Sequence, residues 1–261
     1  MPDAGSMRAK EIAALIASAD ARELEEFERR YEGDPRKQVQ MALQRARNRI
    51  AREAAERNRV EAMYQTQLEL GGDGMVLGVD EVGRGAVAGP LTVAAVALPS
   101  SPLLLGINDS KQLTPVQRES LADRIEEIAL AIGIAHVPPA QIDEMGMSRA
   151  LRVAMAQAIQ NAGVEPSAVL IDGNPVHVHE RETCVVKGDA RVACIAAASI
   201  VAKVTRDALM VGYDDVYPAY HFAACKGYAS AEHIAAIRAH GLCEIHRVSF
   251  CGNFVETPRL F

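Results

Sequence analysis

Two adjacent carboxylates, Asp80 and Glu81, end an apolar segment and stand directly before the turn sequence Gly83-Arg84-Gly85. Carboxylate oxygens are hard ligands of the kind that divalent cations such as Mg²⁺ prefer. The guanidinium group of Arg84 and the bare backbone amides that glycines permit are suited to a phosphodiester. By itself such a stretch is more often a strand end followed by a solvated turn, so its meaning depends on the rest of the chain.

A second acidic site follows another predicted strand. Ala168–Asp172 is a short apolar run that ends in an acid, which predicts a buried strand with Asp172 at its carboxyl end. In sheets of this kind, ligands bind in the crevice outside the strand ends. If this strand lies parallel to the one that carries Asp80, the carboxylates meet at one edge of the sheet.

A fourth carboxylate, Asp207, lies on a long apolar helix predicted over Arg191–Val211. It stands four residues after Lys203 and eight after Ser199, so these side chains share one face of the helix. An anion near the C-terminus of a helix is disfavoured by about 0.3–1 kcal/mol, which indicates a cationic partner for Asp207. Lys203, Arg206 and a bound metal ion are the alternatives.

Four carboxylates form a donor set for Mg²⁺ or Mn²⁺ rather than for zinc. Two such ions close together are arranged for phosphodiester hydrolysis, one activating water and the other stabilising the leaving oxygen. Adjacent strand residues point to opposite faces of a sheet. We therefore expect Asp80 and Glu81 to share a site only if the strand ends or bends at them, which Gly83 and Gly85 would allow.

Three glycines in Gly71-Gly72-Asp73-Gly74 predict a boundary between two regions. Residues 1–73 contain almost no strand-forming runs and predict a helical N-terminal extension. Residues 74–261 predict an α/β domain, a mixed β-sheet flanked by helices. The predicted helices are Met7–Ser18, Ala21–Tyr31, Arg36–Leu70, Thr114–Ala131, Met147–Ala162 and Arg191–Val211, and the predicted strands are Met75–Asp80, Leu91–Leu98, Ile132–His136, Ala168–Asp172 and Thr183–Val186.

The chain has a formal net charge of −6, yet one segment is strongly basic. Between Arg36 and Arg59, eight basic residues stand against Glu53 and Glu56, so the segment carries 8 − 2 = +6. A solvated helix face is the default interpretation of such a segment. Contact with a nucleic-acid backbone and contact with another protein are the alternatives.

The composition excludes several classes of protein. Five cysteines without a C-x-x-C pair indicate neither a disulfide framework nor a zinc site. The sequence has no apolar run of membrane-spanning length and no signal-peptide pattern at its start. We expect a soluble, cytoplasmic protein with no membrane partner.

Seven motifs resemble those of bacterial ribonuclease HII, and they occur in that family's order across nearly all of residues 75–250. They are GVDEVGRGAVAGP at Gly78–Pro90, NDSKQLT at Asn108–Thr114, IDG at Ile171–Gly173, KGD at Lys187–Asp189, SIVAKVTRD at Ser199–Asp207, KGY at Lys226–Tyr228 and HRVSF at His246–Phe250. Each motif is weak on its own, but seven in the same order are highly specific.

The resemblance implies an RNase H-like fold and endonucleolytic cleavage of the RNA strand of RNA–DNA hybrids. It also implies nicking on the 5′ side of a single ribonucleotide embedded in duplex DNA, which leaves 3′-hydroxyl and 5′-phosphate ends. A monomer is expected. The catalytic, metal-binding acids that it implies are Asp80, Glu81, Asp172 and Asp207. The substrate-binding residues that it implies are Gly83, Arg84, Gly85, Lys111, Lys187, Ser199 and Tyr228.

Within this set the implied roles differ. The backbone of the Gly83-Arg84-Gly85 turn would read the 2′-hydroxyl that distinguishes RNA from DNA, and Tyr228 would pack on the neighbouring deoxyribose. Lys111, Lys187 and Ser199 would contact phosphates. Asp189 is expected to order its loop rather than to bind metal.

One residue departs from the family pattern, and two other functions are alternatives to a ribonuclease HII. Cys225 stands where the family commonly has His, so this position is assigned no substrate contact. The related ribonuclease HIII typically carries Lys where Arg84 stands, and a hybrid-only enzyme of that kind would not nick a duplex with one ribonucleotide. A non-catalytic nucleic-acid-binding protein, which would use the basic segment Arg36–Arg59, is the alternative from another class.

Overall fold

The computed structural model describes residues 7–255, and the chain divides between Arg59 and Val60 into two compact units. The helices are α1 (Ala9–Ser18), α2 (Ala21–Arg30), α3 (Lys37–Gly71), α4 (Pro115–Ile128), α5 (Pro139–Met145), α6 (Met147–Asn161), α7 (Ala193–Val216), α8 (Phe222–Cys225) and α9 (Ala231–His240). The strands are β1 (Val76–Val82), β2 (Leu91–Ala97), β3 (Ala131–Val137), β4 (Ala168–Asp172) and β5 (Glu182–Val185). In the described residues, no helix is long and apolar enough to cross a membrane.

The first unit, up to Arg59, is helical as predicted. Asp20 caps α2, since its carboxylate accepts the backbone N–H of Glu23 at 2.8 Å. The apolar residues of α1, α2 and the first half of α3 form one core, which contains Ile12, Ile16, Leu24, Tyr31, Val39, Leu43 and Ala46. Several cations of the basic segment are paired within this unit, such as Arg49 with Glu53 at 3.2 Å.

The second unit, from Val60 onward, contains a mixed five-stranded sheet in the order β3-β2-β1-β4-β5. Strand β1 is antiparallel to β2 and parallel to β4, and Val79 pairs with Ile171. The next residue of each strand is an acid, so this register places Asp80 and Asp172 side by side at one edge of the sheet. The predicted α/β fold is confirmed, and β1 and β4 are the parallel neighbours that a meeting of these acids requires.

Helices cover both faces of this sheet. Leu77 and Val79 of β1 belong to the core that includes α5 and α6, whereas Val76 packs with residues of α7. Because side chains alternate along a strand, Asp80 lies on the α7 face and Glu81 on the α6 face.

Two predictions about these elements are corrected. Strand β1 does not end or bend at Asp80 and Glu81, because its pairing with β2 continues to Val82 and the chain turns only at Gly83, where φ is +88°. Helix α7 extends to Val216, so Asp207 lies more than two turns before its end. The macrodipole acts within the last turn of a helix, so it does not disfavour Asp207.

Candidate active site

Three carboxylates converge at the end of the sheet. Asp80, Asp172 and Asp189 each offer an oxygen atom within 4.8 Å of the others. Asp189 belongs to a 3₁₀ turn, Gly188–Ala190, that lies between β5 and α7. The backbone N–H of Gly188 donates to Oδ1 of Asp172 at 2.7 Å, which fixes this turn beside the end of β4.

The membership of this group differs from the predicted set of four acids. Among the described residues, the group does not include Asp207, which pairs instead with Lys203 at 2.8 Å on α7. Asp189, predicted to order its loop, lies within the group. The signal that could have drawn attention to Asp189 is weaker than that for Asp172, which ends its strand, because Asp189 lies in the turn that follows β5.

Glu81 approaches the site from the other face of β1. With Asp172 it lines a cleft beside α6, and its Oε1 lies 3.6 Å from Nη1 of Arg84. Burial raises the pKa of Glu81; the Arg84 guanidinium opposes this rise, and the charge of Asp172 adds to it. Glu81 is thus electrostatically coupled to the group without belonging to it in the described residues.

The acidic group carries more negative charge than its surroundings balance. Asp80 is only 5% exposed, and burial raises its pKa well above the ordinary value, as do the charges of Glu81 and Asp172. Burial also raises the pKa of Asp189, and the charge of Asp172 adds to that rise. Ionised carboxylates in such a position are stabilised by a bound cation.

Two of the predicted phosphate-contacting residues lie at this group. The Nζ atom of Lys111 is 3.6 Å from Asp189, and although burial favours the neutral amine, nearby acids including Asp80 raise the pKa of Lys111. The Ser199 hydroxyl hydrogen-bonds Asp80 and lies 3.0 Å from the Ser110 hydroxyl. Lys187 stands in the left-handed conformation just before the Asp189 turn, with an exposed side chain.

The turn that follows β1 has two glycines with different constraints. At Gly83 φ is +88°, and a Cβ atom would lie 2.3 Å from Nε of Arg206. At Gly85 a Cβ would meet no heavy atom of the described residues within 4 Å, so this part of the fold does not require glycine there for space. Arg84 between them has a 63% exposed side chain. The surface of this turn is open to a ligand.

Tyr228 is held next to the same turn. The carbonyl of Gly227 accepts the backbone N–H groups of Val87 and Ala88 at 2.9 and 3.1 Å, and the Tyr228 ring lies 5.5 Å from the buried Arg206 guanidinium. The half-buried Cys225 thiol accepts the Gly227 N–H at 3.3 Å, which supports this segment. The structure therefore brings the predicted ribose-reading turn and the predicted deoxyribose platform together.

Family models match both units of the chain. The model for ribonuclease HII matches residues 77–253, and the model for the ribonuclease HII N-terminal domain matches residues 9–70. The ribonuclease HII of Geobacillus thermodenitrificans (strain NG80-2) is 44% identical over 246 residues, which cover 92% of this chain and 93% of that protein. That of Listeria monocytogenes serotype 4b (strain F2365) is 43% identical over 226 residues, with 86% and 87% covered.

A solved structure shows the same fold. The chain in the PCNA:RNase HII complex from Archaeoglobus fulgidus matches with a TM-score of 0.59 and 26% identity, over 70% of this chain and 98% of that chain. The acids at the strand ends and the open turn beside them are the features expected from the sequence motifs, and these matches indicate the same family. The chain belongs to the ribonuclease HII family and is a hydrolase of the ribonuclease H type.

Proposed function

We propose that this enzyme cleaves the RNA strand of RNA–DNA hybrids and nicks duplex DNA on the 5′ side of a single embedded ribonucleotide. The products would be 3′-hydroxyl and 5′-phosphate ends. The observation that carries this proposal is the position of the acids at the end of the sheet, next to the open Gly83-Arg84-Gly85 turn. Glu81, which follows Asp80 directly in the chain, lies 3.6 Å from Arg84 of this turn. Membership of the ribonuclease HII family supports it.

The donor set fits divalent metal ions. Asp80, Asp172 and Asp189 offer only hard oxygen ligands. Burial and neighbouring carboxylates raise the pKa values of Asp80 and Asp189, so a cation would stabilise their ionised forms. We propose that these three residues hold two Mg²⁺ or Mn²⁺ ions when substrate is bound, and that Glu81 contributes from the opposite face of β1, where it lines a cleft with Asp172. Such ions supply an activated water and stabilise the charge of the leaving oxygen. Asp207, neutralised by Lys203, is not needed for this set.

The remaining residues would position the nucleic acid. The exposed Arg84 guanidinium suits the phosphodiester, and the backbone amide of Gly85 suits the ribose 2′-hydroxyl. The exposed edge of the Tyr228 ring would pack on the deoxyribose that follows. Lys111 and Ser199 lie at the acids, where they would orient the phosphate that is cleaved.

Cleavage mapping tests the proposed function. We expect a duplex with one ribonucleotide to be nicked on its 5′ side with Mg²⁺ or Mn²⁺, and an RNA–DNA hybrid to be cut within the RNA strand. An all-DNA duplex is the control and should stay intact. Cleavage of the hybrid alone would favour a ribonuclease HIII-like activity, and no metal-dependent cleavage of either substrate would refute the proposal.

The fourth acid is tested by a matched pair of variants. We expect Asp189→Asn to lower kcat by about 100-fold or more, because stabilisation by a metal ion is worth several kcal/mol of barrier. Asp207→Asn should change kcat less than about tenfold, because Asp207 lies outside the group and is paired with Lys203. Single-turnover rates with saturating Mn²⁺ measure both. The reverse order of effects would return the fourth position to Asp207.

A further inference from the structure

Arg247, which follows the isolated bridge between Ala88 and His246, is completely buried. Among the described residues, its guanidinium donates only to carbonyls of the segment 84–90. Nε and Nη2 donate to the Gly89 carbonyl at 3.0 and 2.9 Å, and Nη1 donates to the Arg84 carbonyl at 3.2 Å. Among residues 7–255, no acidic side chain forms an ion pair with Arg247.

One of these contacts fixes the orientation of a peptide group in the site. The carbonyl of Arg84 and the N–H of Gly85 belong to a single trans peptide, so they point in opposite directions. Because the carbonyl points inward to Arg247, the Gly85 N–H points outward. In the described part of the chain this N–H has no hydrogen-bond acceptor, and the space beside Cα of Gly85 is open.

A second buried arginine holds the other end of the same segment. Arg206 donates to the carbonyls of Pro90 at 2.9 Å, Ala88 at 3.0 Å and Lys226 at 2.8 Å. Burial lowers the pKa of Arg247 to about 10, and the charge of Arg206 adds to this effect. Both remain cations at neutral pH. Asp207 and Asp143 offset this burial only in part, through charge effects on Arg206 and Arg247 respectively. Two buried like charges are costly, and an approaching phosphodiester would reduce that cost.

We propose that Arg247 is a positioning residue for ribose recognition: its guanidinium holds the Arg84–Gly85 peptide so that the Gly85 N–H donates to the 2′-hydroxyl of the ribonucleotide. This inference rests on the proposed function and names the residue that sets its specificity. Without Arg247 the peptide is free to rotate, since glycine tolerates either orientation, and a carbonyl then faces the ribose. The loss falls on substrate binding rather than on the acids.

The test compares Arg247→Lys and Arg247→Met with a control, Arg124→Lys. Lysine keeps the charge but cannot reach the Arg84 and Gly89 carbonyls together as the planar guanidinium does. Arg124 also donates to a carbonyl, that of Leu105 at 3.0 Å, but it is exposed and outside the site. KM and kcat are measured on a duplex with one ribonucleotide, and the Mn²⁺-induced rise in melting temperature is measured alongside.

Both Arg247 variants are expected to raise KM at least tenfold. Their kcat and their Mn²⁺-induced rise in melting temperature should stay within about threefold of the wild-type values. The control should match wild type in all three. A merely structural role would reduce the folded fraction, and so kcat, while leaving KM unchanged. Folded Arg247 variants with the wild-type KM would overturn the role proposed for Arg247. The proposed function would still stand if the wild-type protein nicks the duplex. A wild-type protein that does not nick would refute both.

A measurement on the wild-type protein decides the matter if both variants fail to fold. The amide of Gly85 is followed by NMR hydrogen exchange, in EDTA, with a ribonucleotide-containing duplex and with the matching all-DNA duplex. Protection of this amide by the first duplex and not by the second supports the proposal. Equal exchange in the two complexes overturns it.

Discussion

Asp80→Asn is expected to abolish cleavage and, at the same time, to raise the melting temperature of the metal-free protein at neutral pH. The loss of cleavage follows from the membership of Asp80 in the carboxylate group. The gain in stability follows from burial, because a carboxylate that is 5% exposed and subject to the charges of Glu81 and Asp172 is costly to ionise. A neutral amide of the same shape removes that cost.

The pH dependence of this gain has a definite sign. The pKa of Asp80 is raised in the folded protein above the ordinary value of 3.8, so folding favours its protonated form. Its contribution to stability is therefore present below the ordinary pKa and is lost as pH rises through the raised one. The melting temperature of Asp80→Asn should match wild type near pH 4 and exceed it increasingly toward pH 8, by about 2–4 °C for each kcal/mol.

Metal addition provides the second half of this experiment. Mn²⁺ should raise the melting temperature of the wild-type protein, because it binds the folded state, and should raise that of Asp80→Asn much less. Asp123→Asn, at an exposed position of α4, is the control and should behave like wild type in both measurements. A variant that melts below wild type without metal at pH 8, or that retains metal-dependent cleavage, would contradict the assignment of Asp80.

Local patterns were sufficient to predict the part of this site that the strands build. Ala168–Asp172 is a continuous apolar run ending in acid, and it forms β4 with those bounds. Asp80 lies beside Asp172 because the parallel register aligns Val79 with Ile171. Such signals are strong because a strand buried on both faces leaves its first polar residue at the sheet edge.

The rest of the site depends on contacts between distant segments. Asp189 joins the acids because the Gly188 N–H caps Asp172 across the turn, and nothing in the spacing of the two acids specifies that bond. Arg206 and Arg247 look like surface cations in the sequence, yet both are completely buried because they satisfy carbonyls more than a hundred residues away in the chain. An arginine that binds backbone carbonyls leaves no pattern among neighbouring side chains.

Removal of the N-terminal part of the chain should have an effect that depends on where the catalytic unit begins. The sequence predicts a boundary between residues 73 and 74, whereas the compact unit of the structure begins at Val60. The segment that distinguishes these two boundaries is the last part of α3. Val60 and Met63 are buried in the core that contains α4 and α7. Gln67 accepts the backbone N–H of Cys194, in the first turn of α7, at 2.9 Å.

A protein comprising residues 60–261 is therefore expected to fold and cleave, whereas one comprising residues 74–261 should not fold. Removing two buried apolar side chains costs about 1.5–3 kcal/mol each. The Cys194 N–H, left without Gln67, costs a further ~1–3 kcal/mol. Together these losses approach the ~5–15 kcal/mol by which a domain is typically stable. Circular-dichroism melting of both proteins measures the difference, and equal cooperative transitions would place the boundary at residue 73.

The fragment that is expected to fold, residues 60–261, also tests the basic segment Arg36–Arg59. If that segment contacts phosphates, its removal should raise KM and lower the slope of log KM against log salt concentration, because fewer counterions are released on binding. If its arginines form a solvated face, with pairs such as Arg49 and Glu53 already made within the unit, the slope should not change. The salt dependence separates these alternatives because exposed ion pairs within the protein do not release counterions from the nucleic acid.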